Sequence, residues 1–480
     1  MRGYIYYKEK SDYPQDYYCR PDKKYPEYQY SKDGFSEKNE VYEMIRNMFI
    51  GLGLDKENIG LSSWNPLSEY IKEGDTVLIK PNLVNHVNEH VAGKRGLECL
   101  VTHPSVCRCI IDYVIIALKG TGKIIVADAP VQSCEFEKIK SRMGYDKIEE
   151  FYRRNKIEII FEDLRISKCV KKDGHLYEKK NNTHYAGKIV NLGKKSYFYT
   201  QQRKLRITNY DFRVVNNHHK GKKQEYYVSE ACLEADVIIN LPKPKTHRKA
   251  GVTGALKNMI GINTSKDFLP HHTKGDFKSK KGDEYYHTSF ISSLKSDLND
   301  IIDILEKKSM RKTSDVLKKM LNILNKNSRS NEKYSEGSWW GNDTIWRTVL
   351  DVNLIVKYAD KAGKMCSLPQ RRIISIGDMI VSGEKEGPLL PEPIKTGTII
   401  FSDNCVLFDK ILVKYMGFDD KKIKVLTNAE LNKKFIKRKL DDFYVQSNIK
   451  SYNVKLKDFK SQYRFEPSSG WKGYIEDRKE

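Results

Sequence analysis

The chain has 480 residues, of which 39% are hydrophobic and 31% charged, a composition typical of globular proteins that bury a full core. Its formal net charge is +23, so nucleic acids and acidic membranes have to be considered as partners. No apolar run reaches the roughly 20 residues needed to span a bilayer, and the first residues lack the apolar core of a signal peptide. We therefore expect a soluble, cytoplasmic protein without a membrane partner.

The cysteines argue against a metal-thiolate centre. The nine cysteines are irregularly spaced, and no Cys-x-x-Cys pair occurs. Iron–sulfur clusters and zinc ribbons need several thiolates close together. We expect no iron–sulfur cluster and reduced thiols.

Hydrophobic periodicity predicts an α/β protein of three layers, with a mainly parallel sheet, a small β insertion and a helical insertion. The strand–helix–strand unit at 76–127 is the clearest sign, because such units make parallel sheets. The predicted core strands are 76–79, 123–127, 157–161, 237–239, 372–376 and 398–401, and short insertion strands are expected at 188–191 and 212–215. The predicted helices are 40–52, 104–118, 136–153, 253–261, 296–326, 344–358 and 405–416.

The chain divides by composition into core segments and additions. A Tyr-rich arm is expected to pack on the surface, a polar segment at 264–286 is either a lid or a plain surface loop, and the end of the chain is expected to be charged and peripheral. The segments are 1–38 (arm), 39–164 (first part of the core), 165–234 (β-rich insertion), 235–264 (central strand, loop and helix), 265–340 (lid and basic helices), 341–425 (last part of the core) and 426–480 (extension).

The stretch 235–263 organises the chain. A buried strand leads into a cationic loop stiffened by Pro242 and Pro244, and Thr253 is placed to cap the following helix. Free amide donors, the helix dipole and several ammonium groups would converge on an anion there. Gly251 and Gly254 would let the backbone approach a ligand. The alternative is a solvated loop, which is common in a Lys-rich chain.

Other polar residues follow predicted strand ends, where open α/β sheets bind ligands. The residues predicted to bind substrate are Lys80, Asn82, Lys243, Lys245, Thr253, Lys257 and Asn258. His247 is the candidate catalytic residue, since neighbouring cations would keep it neutral and able to move a proton. Its alternative role is to donate a hydrogen bond to the ligand.

An acidic group near the last predicted strands points to a divalent cation, Mg²⁺ or Mn²⁺. The predicted metal ligands are Asp378, Glu384 and Asp403. Structural roles are the alternative: Asp403 would cap the helix from Cys405, and Asp409 would pair with a lysine of its own helix.

The central motif LPKPKTHRKAGVTGALKNMIG resembles the signature of the domain of unknown function 362 family. The pieces that agree in order are LIKPNLV (78–84), THPSV (102–106), GNDTIWRTVLDVN (341–353), GDMIVSGEKEGP (377–388) and SDNCVLFDKILVKYMGFD (402–419). What the resemblance implies is limited, because the family has no general assigned activity. Many members resemble iron–sulfur proteins through an added ferredoxin segment, which is missing here. The resemblance leaves a redox accessory or cofactor carrier as one alternative.

The residues favour an enzyme that acts on a small anionic substrate, carboxylated or phosphorylated. A nucleic-acid-binding protein is the other alternative, motivated by charge alone, and no specific nucleic acid is expected. Oligomeric state, substrate and reaction are left open by the sequence.

Overall fold

The chain folds around one large sheet with helices on both faces. The computed structural model describes residues 1–36, 38–172, 175–201, 203–208, 210–287, 290–307, 310–327 and 334–477. The strands are β1 (Gly3–Tyr7), β2 (Thr76–Pro81), β3 (Lys123–Asp128), β4 (Ile160–Asp163), β5 (Ser167–Lys172), β6 (His175–Lys180), β7 (Gly187–Asn191), β8 (Leu205–Arg206), β9 (His219–Lys220), β10 (Lys223–Ser229), β11 (Val237–Leu241), β12 (Lys245–His247), β13 (Gly251–Thr253), β14 (His272–Thr273), β15 (Arg372–Glu386), β16 (Leu390–Ser402) and β17 (Gln446–Ser447). The helices are α1 (Glu40–Gly51), α2 (Gly93–Glu98), α3 (Pro104–Leu118), α4 (Phe136–Met143), α5 (Tyr145–Arg154), α6 (Phe212–His218), α7 (Glu230–Glu234), α8 (Ala255–Asn258), α9 (Phe290–Lys307), α10 (Arg311–Asn327), α11 (Ile345–Tyr358), α12 (Cys405–Tyr415) and α13 (Lys424–Glu430). None of the helices in the described ranges combines the length and the apolar character that a membrane crossing requires.

The central sheet is mainly parallel, as predicted. It has ten strands, with the path β17-β1-β16-β15-β11-β2-β3-β4 and the β12–β13 hairpin attached to β15. The strands from β15 to β4 run parallel to their neighbours, while β16 is antiparallel to both β15 and β1. The carboxyl ends of β2, β3 and β11 therefore meet at one edge of the sheet.

Successive side chains along each core strand point to opposite faces of the sheet, and both faces are covered by helices, which gives three layers. In β2, Val77 and Ile79 pack with the helices α1, α3, α4 and α5, whereas Leu78 packs on the opposite face with α8, α11 and α12. Strands buried on both faces read as continuous apolar runs, which is the pattern that their sequences show. The predicted three-layer α/β fold is confirmed.

Both ends of the chain enter the core, contrary to the predicted surface arm and peripheral extension. β1 pairs with β16 over its whole length, and Tyr13 is only 4% exposed. At the other end, β17 pairs with β1, and Trp471 and Ile475 are buried. The apolar residues of both ends are few and lie among charged ones. They do not repeat with a helical or strand period, so the sequence pattern did not indicate their burial.

Three local predictions are also wrong. Residues 212–215 lie in helix α6, whose first turn is capped by the Asp211 side chain. The predicted helix 136–153 is two helices separated at Gly144, which has a φ of 90°. Residues 377–397, for which the sequence predicts a loop between the strands 372–376 and 398–401, form the long β15–β16 hairpin. Their glycines and prolines resemble a turn but lie within paired strands.

The segment at 264–286 is packed against the protein. β14 pairs with β8, and Asp283 accepts hydrogen bonds from the Thr273 backbone N–H and the Thr344 hydroxyl. The basic helical insertion after it consists of α9 and α10; residues 308 and 309, inside the predicted helix 296–326, lie outside the described residues.

Candidate anion-binding site

A buried ion pair forms the floor of the candidate site. Lys80 of β2 and Asp128, the last residue of β3, are joined by an Nζ–Oδ1 distance of 2.7 Å. Asp128 also accepts hydrogen bonds from the backbone N–H groups of Leu83 and Ala129. A Cβ at Gly261 would overlap both charged side chains, so the glycine is needed for the close approach of its loop. Burial lowers the pKa of Lys80, and Asp128 opposes this effect.

Side-chain amides connect the strand ends beside this pair. The Asn82 amide donates to Oδ1 of Asn258 at 2.8 Å, and the Asn258 amide donates to Oδ1 of Asn240 at 2.7 Å. Lys245 in turn donates to Oδ1 of Asn82 at 2.8 Å and to the Leu100 carbonyl oxygen. The fold thus brings together Lys80 and three further residues that the sequence predicts to bind substrate.

Four lysines around this floor form no ion pair with any carboxylate in the described part of the chain. Burial is the main cause that lowers the pKa of Lys245 to about 7 and that of Lys266 to about 7. It also lowers the pKa of Lys249 to about 8 and that of Lys257 to about 8, the latter with a further contribution from Lys80. A buried ammonium group without a counter-ion is costly, so it either loses its proton or binds an anion.

Solvent reaches part of this cluster. Asn82, Lys249, Lys257 and His271 are half-buried, whereas Lys245 is fully buried. Surface cavities of about 300 Å³ and 480 Å³ lie elsewhere, beside His90 and Lys472 in one case and beside Arg206 and Asn216 in the other. A ligand from solvent would therefore meet the half-buried side chains of the cluster before Lys245.

His247 lies beside the charged side chains of the cluster, and its ring has one nitrogen already occupied. Its Nδ1 accepts hydrogen bonds from the backbone N–H groups of Lys249 and Ala250, both at 3.1 Å, so the proton is on Nε2. Burial first, and then Lys257 and His271, hold the pKa of His247 well below its usual value. This geometry favours the predicted alternative in which His247 donates a hydrogen bond to the ligand.

Several residues of the cluster were not among the predicted site residues. They are Asp128, Lys249, Lys266, His271 and His272. Lys249 donates to the Glu336 carbonyl oxygen and lies 3.4 Å from Nδ1 of His272. The available signal was weak: Lys249 belongs to the cationic loop, and Lys266 precedes two buried apolar residues in a polar stretch.

The amino end of α8 does not provide the predicted anion site. The Asp409 carboxylate already accepts hydrogen bonds from the backbone N–H groups of Ala255 and Leu256. Thr253 does not cap the helix, whose N-cap is Gly254, and the Thr253 hydroxyl has no partner in the described residues. Gly254 approaches Asp409 and not a ligand. Asp409 thus caps a neighbouring helix, contrary to the predicted pairing within its own.

Lys243 is engaged in an internal ion pair, although its charge still helps to lower the pKa of Lys245. Its Nζ is 2.7 Å from Oδ2 of Asp378, and both side chains are fully buried. Asp378 also accepts hydrogen bonds from the Tyr13 hydroxyl at 2.6 Å and the His103 backbone N–H at 2.8 Å. Lys243 was predicted to bind substrate and Asp378 to bind a metal ion. Both side chains already have partners inside the protein, which a ligand would have to replace.

The other two predicted metal ligands are far from Asp378 along the strands. Glu384 accepts a hydrogen bond from the Glu466 backbone N–H, and Asp403 accepts one from that of Arg2. Asn404, not Asp403, caps α12. Within the described ranges, no three His, Cys, Asp or Glu side chains are placed to hold a metal ion. The structure does not bring the predicted Mg²⁺ or Mn²⁺ ligands together.

Comparison with known proteins agrees with the resemblance in the motifs. Residues 77–194 and 165–414 match the family described as "Domain of unknown function (DUF362)". No curated protein matches the chain. Similar solved structures include a protein from Thermotoga maritima, with 11% identity, 72% of this chain and 53% of that chain covered, and a TM-score of 0.28. Another is the lactate racemase apoprotein from Thermoanaerobacterium thermosaccharolyticum, with 11% identity, coverage of 72% and 51%, and a TM-score of 0.26.

The chain spans about half the length of each of those two proteins. The family match, by contrast, covers most of this chain, from β2 to α12. It includes every residue of the cationic cluster. The chain belongs to the DUF362 family.

Proposed function

We propose that the protein is an enzyme that acts on a small anionic substrate, carboxylated or phosphorylated, bound over the Lys80–Asp128 pair. The observation that carries this proposal is the group of four lysines without carboxylate partners at the carboxyl edge of the sheet. Ligands of open α/β sheets bind at this edge. An anion would restore the charge balance that the described side chains leave incomplete.

The side chains have separate roles in this proposal. Lys257 and Lys249, which solvent reaches, would neutralise the anionic group as it enters. Lys245, held by Asn82, would contribute charge from beneath. His247 would donate its Nε2–H to a substrate oxygen, as neutral imidazoles do where negative charge develops.

A divalent cation is compatible with this site only as a companion of the substrate. Mg²⁺ often reaches proteins through substrate phosphates and one or two carboxylates. The predicted ligands Glu384 and Asp403 have other partners, so Mg²⁺ or Mn²⁺ would depend on the substrate for most of its ligands. The redox-carrier and nucleic-acid alternatives have no comparable observation in their favour among the described residues.

The Lys257→Met variant tests the proposal. We expect inorganic phosphate or oxalate to stabilise the wild-type protein and to lose this effect in the variant, because the half-buried Lys257 ammonium faces the anion. A ligand at 100 times its dissociation constant stabilises a protein by about 2.7 kcal/mol, which thermal unfolding resolves. Lys123→Met is the matched control, since Lys123 is exposed at the opposite end of β3.

Both variants should have nearly wild-type stability without the anion, because half-buried and exposed lysines without partners are cheap to replace. Equal stabilisation of the wild type and Lys257→Met by both anions would contradict the proposed site.

A further inference from the structure

Two neutral histidines at the site carry their protons on opposite ring nitrogens. His247 holds its proton on Nε2, because Nδ1 accepts two backbone hydrogen bonds. His271 has the reverse arrangement: its Nδ1 lies 2.7 Å from the Leu269 carbonyl oxygen, which can only accept. The Nδ1 of His271 is therefore the donor, and its Nε2 carries a lone pair.

We propose that His271 is the general base of the reaction and takes a proton from the bound anion through Nε2. This inference rests on the proposed function and assigns a catalytic residue that the sequence motifs did not indicate. A C–H or O–H bond of the substrate would break, its proton would pass to Nε2, and its electron pair would stay on the substrate. His247 and Lys257 would then stabilise the new negative charge.

The Leu269 carbonyl group fixes the ring and supports this role. A backbone acceptor on Nδ1–H sets the tautomer, orients the imidazole and stabilises the imidazolium that forms. His271 is also half-buried, so a ligand that enters from the solvent side can reach its side chain. His272, by contrast, is buried and lies beside the Lys249 ammonium group through Nδ1.

The charges that face His271 make its basicity depend on the ligand. Burial, then Lys249 and Lys257, hold the pKa of His271 well below its usual value, and Lys266 acts in the same direction. A bound anion neutralises these ammonium groups, so the imidazole becomes a stronger base when the substrate is present. The substrate class that follows is an anion with an acidic C–H or O–H bond near its charged group.

The test is nitrogen NMR of protein labelled with ¹⁵N-histidine, combined with chemical modification. We expect His271 to show a protonated Nδ1 and His247 a protonated Nε2 near neutral pH. Inorganic phosphate should raise the pKa of His271 in the same spectra. His271→Asn assigns the signal and keeps a side-chain donor for the Leu269 carbonyl group, and His271→Gln is the second variant for assignment.

Diethyl pyrocarbonate, which acylates unprotonated imidazole nitrogens, gives the second readout. We expect His271 to be modified, His247 to be spared, and phosphate to slow the modification of His271 at least tenfold in the wild type but not in Lys257→Met. A protonated Nε2 on His271, or an inert His271, would overturn the inference while thermal stabilisation by phosphate still supported the proposed function. Failure of phosphate to bind at all would overturn the proposed function and the inference with it.

Discussion

Replacement of Lys243 by methionine is expected to lower the free energy of unfolding by about 3–5 kcal/mol, because it leaves a buried carboxylate without its cation. Nζ of Lys243 is 2.7 Å from Oδ2 of Asp378, and both side chains are fully buried. The Tyr13 hydroxyl and the His103 N–H would still donate to Asp378, which places the expected loss toward the lower end. Urea denaturation measures the change, and Lys123→Met should stay within about 0.5 kcal/mol of the wild type.

The same variant separates the two roles predicted for this lysine. Lys243→Met should keep the stabilisation by phosphate, since its ammonium group is occupied inside the fold. The double variant Lys243→Met/Asp378→Leu should lose less unfolding free energy than the two single variants lose together, because it removes both charges. A stable Lys243→Met protein that no longer responds to phosphate would place Lys243 in the site.

Replacement of Asp128 by asparagine should destabilise the protein strongly and make it depend on added anions. Asp128 is the carboxylate on Lys80, and it also raises the pKa values of Lys257 and Lys266. Its loss leaves a buried lysine unpaired, at a cost of about 3–5 kcal/mol. Phosphate should restore more stability to Asp128→Asn than to the wild type, since it supplies the missing negative charge.

Phosphate also strengthens folding in general, so the comparison between proteins matters more than either shift alone. Lys257→Met, which should have lost the response of the site itself, provides the reference for the general effect. An equal response to phosphate in Asp128→Asn, Lys257→Met and the wild type would show that the anion does not enter the cluster.

The sheet and the meeting of polar residues at its strand ends were predictable because they depend on local patterns. Lys80 and Asn82 follow an apolar run, and the cationic loop follows another. Parallel neighbours place the ends of such runs side by side. Asn82 contacts Asn258 and Lys245 because β2 and β11 pair in parallel and end side by side.

Long-range partners account for most of the wrong predictions. Asp409 caps α8 from a helix that is 154 residues away in the chain, and no local pattern indicates such a contact. The Tyr13 hydroxyl donates to Asp378 across 365 residues. Both contacts occupy groups that the sequence assigns to ligands, so carboxylates and helix ends without fixed spacing are weak predictors of a site.

The tautomers of the histidines lie beyond sequence reasoning for a related reason. His247 and His271 are both histidines in polar loops. Which nitrogen each presents depends on one or two backbone groups, here those of Lys249, Ala250 and Leu269. Only the folded loops show which ring is a donor and which is an acceptor.

Titration calorimetry of inorganic phosphate in two buffers of different ionisation enthalpy tests the anion site most directly. Near pH 8 the lysines with pKa values of about 7 and 8 are partly deprotonated in the free protein. A bound anion favours their charged form and raises their pKa, so binding should take up protons and should weaken as the pH rises above about 8. Lys257→Met should bind more weakly and take up fewer protons, while Lys123→Met should match the wild type. Binding without proton uptake, or no binding at any pH from 6.5 to 9, would contradict a lysine-lined anion site.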